Sequence, residues 1–426
     1  MTAIPYKDRQ IRFTRIRQKF QSMKLESIPP TLGEELGNLA QDIKAGGEIA
    51  IGVGSRGINN IRLIVSELVR FVKESGAHPF IFPAMGSHGG ATPEGQEQIL
   101  AGLGITAEAV GAPVRSSMDV VNLSDNPSLP AYIDKNGYAS DGIILVNRIA
   151  PHTDFRGIYE SGLVKMAVIG LGKVPQAEFI HGKGHKGLEE IMPEVAGIVF
   201  DSGKIIAGIG IVEDANKDTM KIEVIPAGQI MDREKELLKL AFQHCPVLPL
   251  EEIDVLIVDR IGKDISGIGM DPAVIGRMYS PGMPEPETPR IRSIMACGLT
   301  EASHGNGLGI GLADVITRRL FEQVDLDMIY RNVFTSTNLE RAKVPVIGEN
   351  ELRCLEFALR NGGEVLQGKE VILRIKDTLH LGEMYVSGPA LEKLRDKTDI
   401  EILSGPVGMF NPDGSIIPFE EVRWKD

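Results

Sequence analysis

The chain has 426 residues, too many for one ordinary hydrophobic core, so two domains are expected. Its composition is that of a globular α/β protein rich in tight turns, with 42% hydrophobic and 24% charged residues and 48 glycines. A net charge of −12 argues against nucleic acid or an anionic membrane as the main partner.

Three scattered cysteines, Cys245, Cys297 and Cys354, show no metal-binding spacing and read as reduced core residues of a cytoplasmic protein. The opening MTAIPYKDRQ lacks the apolar region of a secretion signal, and no apolar run approaches the ~18 residues of a membrane span. The stretch Tyr6 to Lys24 is locally basic and reads as a solvated strand face.

Along the chain, EIAIGVG (48–54) suits a buried strand, and NNIRLIVSELVRFVKESGA (59–77) has apolar residues at helical spacing. HPFIFPAM (78–85) is the next strand. It precedes a helix over 91–104 with Thr92 as N-cap and Pro93 at its first position. GIILVNRIA (142–150) is a third buried strand. Strands alternating with helices of this length predict a mostly parallel sheet.

IVFDSGKIIAGIGIVE (198–213) reads as a hairpin turning at Ser202-Gly203, followed by a helix over 232–244. PVLPLEEID (246–254) marks a boundary near residue 250, giving domains 1–250 and 251–426. The second begins with strands at 254–262 and 291–299 and a helix over 313–324. A strand at 371–378 and a tail hairpin with a Pro-Asp-Gly turn follow. Ser-His-Gly occurs at both 87–89 and 303–305.

Residues 52–57, GVGSRG, match the glycine fingerprint of dinucleotide-binding turns, with a strand before and a helix after. The rest of that fingerprint fails. The next strand ends Phe82-Pro83-Ala84-Met85 and offers no acid for a ribose, and Arg56 stands inside the turn. An arginine there suits a carboxylate or a phosphate monoester.

Two histidines leave consecutive strand ends on the same edge: His88 within Gly86-Ser87-His88-Gly89-Gly90, and His152 after Pro151. Histidine titrates near neutrality, and a facing pair can move protons on both sides of a substrate. Downstream, Ser161-Gly162-Leu163-Val164-Lys165 puts a lysine beside an apolar run. His181 and His185 follow at i, i+4 in a glycine-rich segment that reads as a loop.

Together these features resemble the lactate racemase family that uses a nickel-pincer nucleotide. The resemblance rests on four motifs in order, spanning most of the chain: Gly54-Ser55-Arg56; Gly86-Ser87-His88 with Thr92-Pro93-Glu94; Pro151-His152 with Ser161-Gly162-Leu163-Val164-Lys165; and His181. It implies two α/β domains, with mostly parallel or mixed sheets and a cleft between them. It also implies racemisation or epimerisation of a 2-hydroxy acid by reversible hydride transfer. The implied cofactor is a pyridinium mononucleotide with two thiocarboxyl arms, joined to Lys165 by dedicated maturation enzymes and holding nickel with His181, or with His185 as the alternative ligand.

His88 and His152 would be the acid–base pair, and Lys263 a further catalytic lysine. Gly54, Ser55 and Arg56 would bind the cofactor phosphate or the substrate carboxylate. The chain departs from the family pattern at Val53 and Arg260, and in a longer interval between His152 and Lys165 that includes Asp154, Arg156, Tyr159 and Glu160. The added charge of Arg156 and Arg260 suggests a more anionic or polyhydroxylated acid than lactate. Two other classes fit parts of the pattern: a nicotinamide-dependent hydroxy-acid dehydrogenase, and a non-catalytic binder of carboxylates or sugar acids.

Overall fold

In the computed structural model, residues 11–153, 155–336, 338–362 and 368–422 are described; Asp154 and the N-terminal part of the basic stretch lie outside them. The chain divides into two compact units, 21–245 and a second made of residues 1–20 with 246–426. The division after Cys245 lies close to the proline-rich junction read from the sequence. Residues 11–20, assigned by sequence to the N-terminal domain, instead belong to the unit that holds residues 246–422.

The reason is β1 (Arg12–Gln18), which pairs antiparallel with strands more than 350 positions away. Its basic residues and the lysine after it meet acids on those strands: Arg15 and Arg17 lie 2.6 and 2.7 Å from Glu383, and Lys19 lies 2.9 Å from Glu401.

Unit 21–245 is built on β2 (Glu48–Val53), β3 (His78–Pro83), a small ribbon of β4 (Val120–Asn122) with β5 (Tyr132–Asp134), then β6 (Gly142–Arg148), β7 (Ile205–Glu213) and β8 (Thr219–Pro226). The main sheet runs β3-β2-β6-β7-β8, parallel except for the β8 edge. The residues of β2, β3 and β6 are nearly all buried, as continuous apolar runs in a two-sided parallel sheet should be. The helix Ile61–Glu74 covers one face with six apolar side chains at helical spacing, among them Ile61, Val65, Leu68 and Val72.

Because the chain moves from β2 outward to β3 and then returns to the other side of β2 as β6, the strand order reverses beside β2. Such a reversal opens a crevice at the carboxyl ends of the strands, where open α/β sheets take ligands.

The hairpin expected over 198–213 is not formed. Residues Met192–Asp201 are a helix whose buried face is Met192, Val195, Ala196 and Val199, a periodicity that favours helix over strand. Ser202-Gly203 ends it, with Gly203 at a φ of 69°. The hairpin is β7–β8, turning one segment later through Asp214, whose carboxylate accepts from the backbone N–H groups of Asn216 and Asp218.

The other unit carries β9 (Glu252–Val258), β10 (Arg290–Ala296), β11 (Val315–Thr317), β12 (Val346–Gly348), β13 (Ile372–Ile375), β14 (Glu383–Ser387), β15 (Ile400–Ile402) and β16 (Val407–Gly408). They form one mixed sheet in the order β12-β11-β10-β9-β13-β14-β1-β15, with β16 also on β1. The segment 313–324, expected as one helix, splits into β11 and a helix over Arg318–Gln323. Thr317 supplies the N-cap by accepting from the Leu320 N–H at 3.0 Å. The tail turn is present, with Phe410 bridging Ile416 antiparallel. No helix among the described residues is long and apolar enough to cross a membrane.

Candidate active site at the carboxyl ends of three parallel strands

The turns that follow β2, β3 and β6 carry Ser55-Arg56, His88 and His152. The first two turns are joined directly: Ser55 Oγ and His88 Nδ1 lie 2.5 Å apart. The third turn is tied back by the bridge between Ala150 and Ser161 and by Asn147, whose Nδ2 donates to the Gly162 carbonyl at 2.8 Å. Lys165 follows in the helical turn Leu163–Lys165, and its Nζ lies 2.5 Å from His152 Nε2. The ring of Phe155 flanks both groups, 4.6 Å from the imidazole and 5.2 Å from the ammonium nitrogen.

Beyond Lys165 the backbone makes a π-helical turn, Met166–Gly170, a distortion often found where a helix serves a site. It packs tightly on the β3 turn. Gly86 N–H donates to the Gly170 carbonyl at 3.1 Å, and a Cβ on Gly170 would come within 2.7 Å of the Ala84 carbonyl oxygen. Gly86 has a φ of 60°, a conformation that favours glycine.

The helix Lys173–His181 then presents His181 at its last position. The loop expected around His181 and His185 is helical. Gly187 lets that segment lie against the Ile180 carbonyl, where a Cβ would fall within 2.0 Å. The two histidines part company here. His185 Nε2 is held 2.6 Å from Glu189, whereas His181 lies within electrostatic reach of Lys165 and His88.

Electrostatics binds these residues into one group. Burial of Lys165 beside Phe155, and next the charge of Arg56, bring its amine down to about 7. His88 and His181 keep edges open to solvent, yet desolvation by the surrounding protein, then nearby cations, lowers each to about 4. His152 is held well below its ordinary value, by desolvation first and by Lys165 and Arg56 next. At neutral pH the three imidazoles are therefore uncharged bases.

The Arg56 guanidinium, shifted down by burial and by Arg148, has no acidic partner among the described residues, whereas Arg148 is paired with Glu213 at 2.6 Å. A cation without an acidic partner, grouped with a half-neutral lysine and neutral imidazoles, gives the ends of these strands a positive field.

Several residues to which the sequence reading gave no acid–base, cofactor or metal role hold this arrangement. Glu160 is buried and accepts from the backbone N–H of His152 at 2.6 Å and of Gly157 at 3.2 Å. Arg156 turns inward to donate to the His152 carbonyl at 2.5 Å and lies 3.4 Å from Glu160. It braces the loop, so its charge does not support the more anionic substrate inferred from it.

Glu234, fully buried and raised to about 7 by that burial, accepts from the Val164 N–H at 2.9 Å at the start of the Lys165 turn. Its signal was legible: a glutamate among Ile230, Leu237, Leu238 and Ala241 on the apolar face of a helix. Lys263 lies in the other unit, after β9, where its ammonium donates to the Gly267 carbonyl at 2.7 Å and to Asn332 at 3.2 Å.

No family model matches the chain, and no curated protein does. Among solved structures, the lactate racemase apoprotein from Thermoanaerobacterium thermosaccharolyticum superposes with a TM-score of 0.53 at 13% identity, over 86% of this chain and 98% of that one. The fold is that of lactate racemase. A protein from Thermotoga maritima aligns over 66% of this chain and 72% of its own at 14% identity, with a TM-score of 0.49. The racemase-like fold thus covers both units of the chain.

Proposed function

We propose that the chain is an isomerase of the lactate racemase type that racemises or epimerises a 2-hydroxy acid. The observation that carries this reading is the convergence of Ser55-Arg56, His88 and His152 at the ends of three neighbouring parallel strands, with Lys165 hydrogen-bonded to His152. Two neutral imidazoles leaving different strands can each take a hydroxyl proton and return it, which a reaction proceeding from either enantiomer requires. Arg56 supplies the fixed positive charge for a carboxylate or a phosphate monoester.

The residues present also fit a nickel-pincer nucleotide. Lys165, at about 7, is partly neutral at physiological pH and is therefore a competent nucleophile for acylation. His181 is a neutral imidazole, the form that ligates a metal. Among the described residues no group of three or more His, Cys, Asp or Glu side chains could hold a metal ion, so a metal here needs a cofactor that brings its own donors. Lys165 would carry that nucleotide, His181 would complete its nickel, and Gly54, Ser55 and Arg56 would face its phosphate or the substrate carboxylate. When bound, the group would supply hydride acceptance and return at the substrate carbon.

The test is co-expression with cofactor maturation enzymes and nickel, followed by assays of enantiomer interconversion on a panel of 2-hydroxy acids. Interconversion abolished by His88→Ala or His152→Ala supports the reading. Catalysis that instead consumes added NADH would replace it with the dehydrogenase alternative. Tight binding of a hydroxy acid without turnover would replace it with a non-catalytic binder.

A further inference from the structure

Behind the β3 turn lies a wholly buried polar chain that the acid–base chemistry does not use. Lys173 and Asp134, both with side chains at 0% exposure, form an ion pair at 3.2 Å. Asp134 Oδ1 accepts from the N–H groups of Asn136 and Gly137 at 2.8 and 3.0 Å, which anchors the carboxylate to β5 and the turn after it.

Lys173 Nζ also donates to the Pro83 carbonyl at the end of β3 and, at 3.0 Å, to Gln96 Oε1. Gln96 is buried too, and its Nε2 donates to the carbonyls of Gly86 at 2.7 Å and His88 at 3.2 Å. Both bonds from Gln96 Nε2 end on the turn that carries His88, while Lys173 itself opens the helix that ends at His181.

A buried ion pair is weak evidence for stability, because desolvation of the two charges offsets most of their attraction. Its better-supported use is to select one geometry. Gln96 Nε2 bonds the Gly86 and His88 carbonyls together, which restrains the turn to arrangements that bring both within its reach. Lys173 fixes which end of the Gln96 amide faces the turn by taking its oxygen.

We propose that Asp134, Lys173 and Gln96 are positioning residues that set the His88 turn against the Lys173–His181 helix, without themselves touching a ligand. The inference rests on the reading of His88 as a site residue, but it concerns the geometry of the turn and can fail separately.

The experiment uses the full chain without cofactor, comparing the wild type with Gln96→Glu and with the double variant Asp134→Leu/Lys173→Met. Gln96→Glu keeps an acceptor for Lys173 and removes both donors to the turn. The double variant replaces the ion pair with apolar side chains. The readouts are the imidazole NMR signals of His88, assigned with His88→Gln, and the affinity for sulfate measured by calorimetry.

The positioning role predicts folded variants in which the His88 ring signals move and broaden, and in which sulfate binding weakens about tenfold. Wild-type His88 signals in Lys173→Arg, which keeps a donor for Gln96, would support the shared donor role. Folded variants with His88 signals unchanged would overturn the proposal, since the network would then be only packing. An unfolded Gln96→Glu would also overturn it, because bonds to a single turn would then be holding the whole unit. If wild-type sulfate binding is absent or indifferent to His88→Gln, the anion-site reading fails while the ring signals still decide the positioning role.

Discussion

Two arginines, one in each unit, meet opposite surroundings. In the unit built around β9, Arg374 is fully buried and answered at once: it donates to both oxygens of Asp259 at 2.8 and 2.7 Å and to the Ile417 carbonyl at 2.8 Å. It also lies against Tyr385 and Phe419. In unit 21–245, Arg56 stands at a strand end with no acidic partner among the described residues, and the lowered groups His88, His152 and Lys165 lie within its electrostatic reach, with His181 within reach of Lys165 and His88.

The tripeptide Ser-His-Gly occurs in both units and makes the same point. His88 is bonded to Ser55 beside this group, whereas His304 ends a short helical turn through its N–H to the Glu301 carbonyl. Charge that is neutralised where it is buried is scaffold. Charge left without a counter-ion at the carboxyl ends of parallel strands marks the candidate site.

The comparison is broken most severely by removing a counter-ion. Asp259→Ala leaves Arg374 buried and alone, and urea denaturation should show a loss of roughly 3–5 kcal/mol. Arg56→Ala should leave stability within about 0.5 kcal/mol of the wild type, because no partner is orphaned. The same variant should lose most sulfate binding in a calorimetric titration. Equal destabilisation by both substitutions would erase the distinction between the two arginines.

The acid–base groups sharpen it through pH. Lys165 is lowered from 10.5 to about 7, so it is more cationic at pH 6 than at pH 8.5, and sulfate should bind more tightly at the lower pH. Lys165→Met should flatten that dependence, and an unchanged profile would remove Lys165 from the receptor.

His88, lowered from 6.5 to about 4, makes the folded state bind fewer protons than the unfolded chain between those values. Stability contributed by this group should therefore rise with pH across about 4 to 6.5, and His88→Gln should reduce the slope in urea titrations. The smallest effect is expected at β1, where Arg17→Ala removes a surface pair with Glu383 and should leave the urea midpoint almost unmoved.

Local sequence carried the elements whose partners are their neighbours. β2, β3 and β6 read as apolar runs, the helix Ile61–Glu74 as a periodic stripe, and the strand-end positions of Arg56, His88 and His152 followed from them. What depended on distant pairing was not legible. Nothing in Arg12–Gln18 announces Glu383–Ser387 as its partner, so the first strand was placed in the wrong unit.

Nor could spacing reveal that Lys173, Gln96 and Asp134 meet, since contact between them needs the three elements assembled. Glu234 shows the intermediate case. A carboxylate on an apolar stripe signals a buried acid, but only the fold says that it serves the Lys165 turn.

The central claim is that Lys165 is the attachment point in a site assembled from three strand ends. Protein co-expressed with nickel and cofactor maturation enzymes, examined by intact mass and peptide mapping, tests it most directly. The account predicts one nucleotide-sized adduct on the peptide containing Lys165, absent from Lys165→Ala, with nickel lost but the adduct retained in His181→Ala. An adduct that survives Lys165→Ala, or a chain that stays unmodified while the same host loads a known lactate racemase, would contradict it.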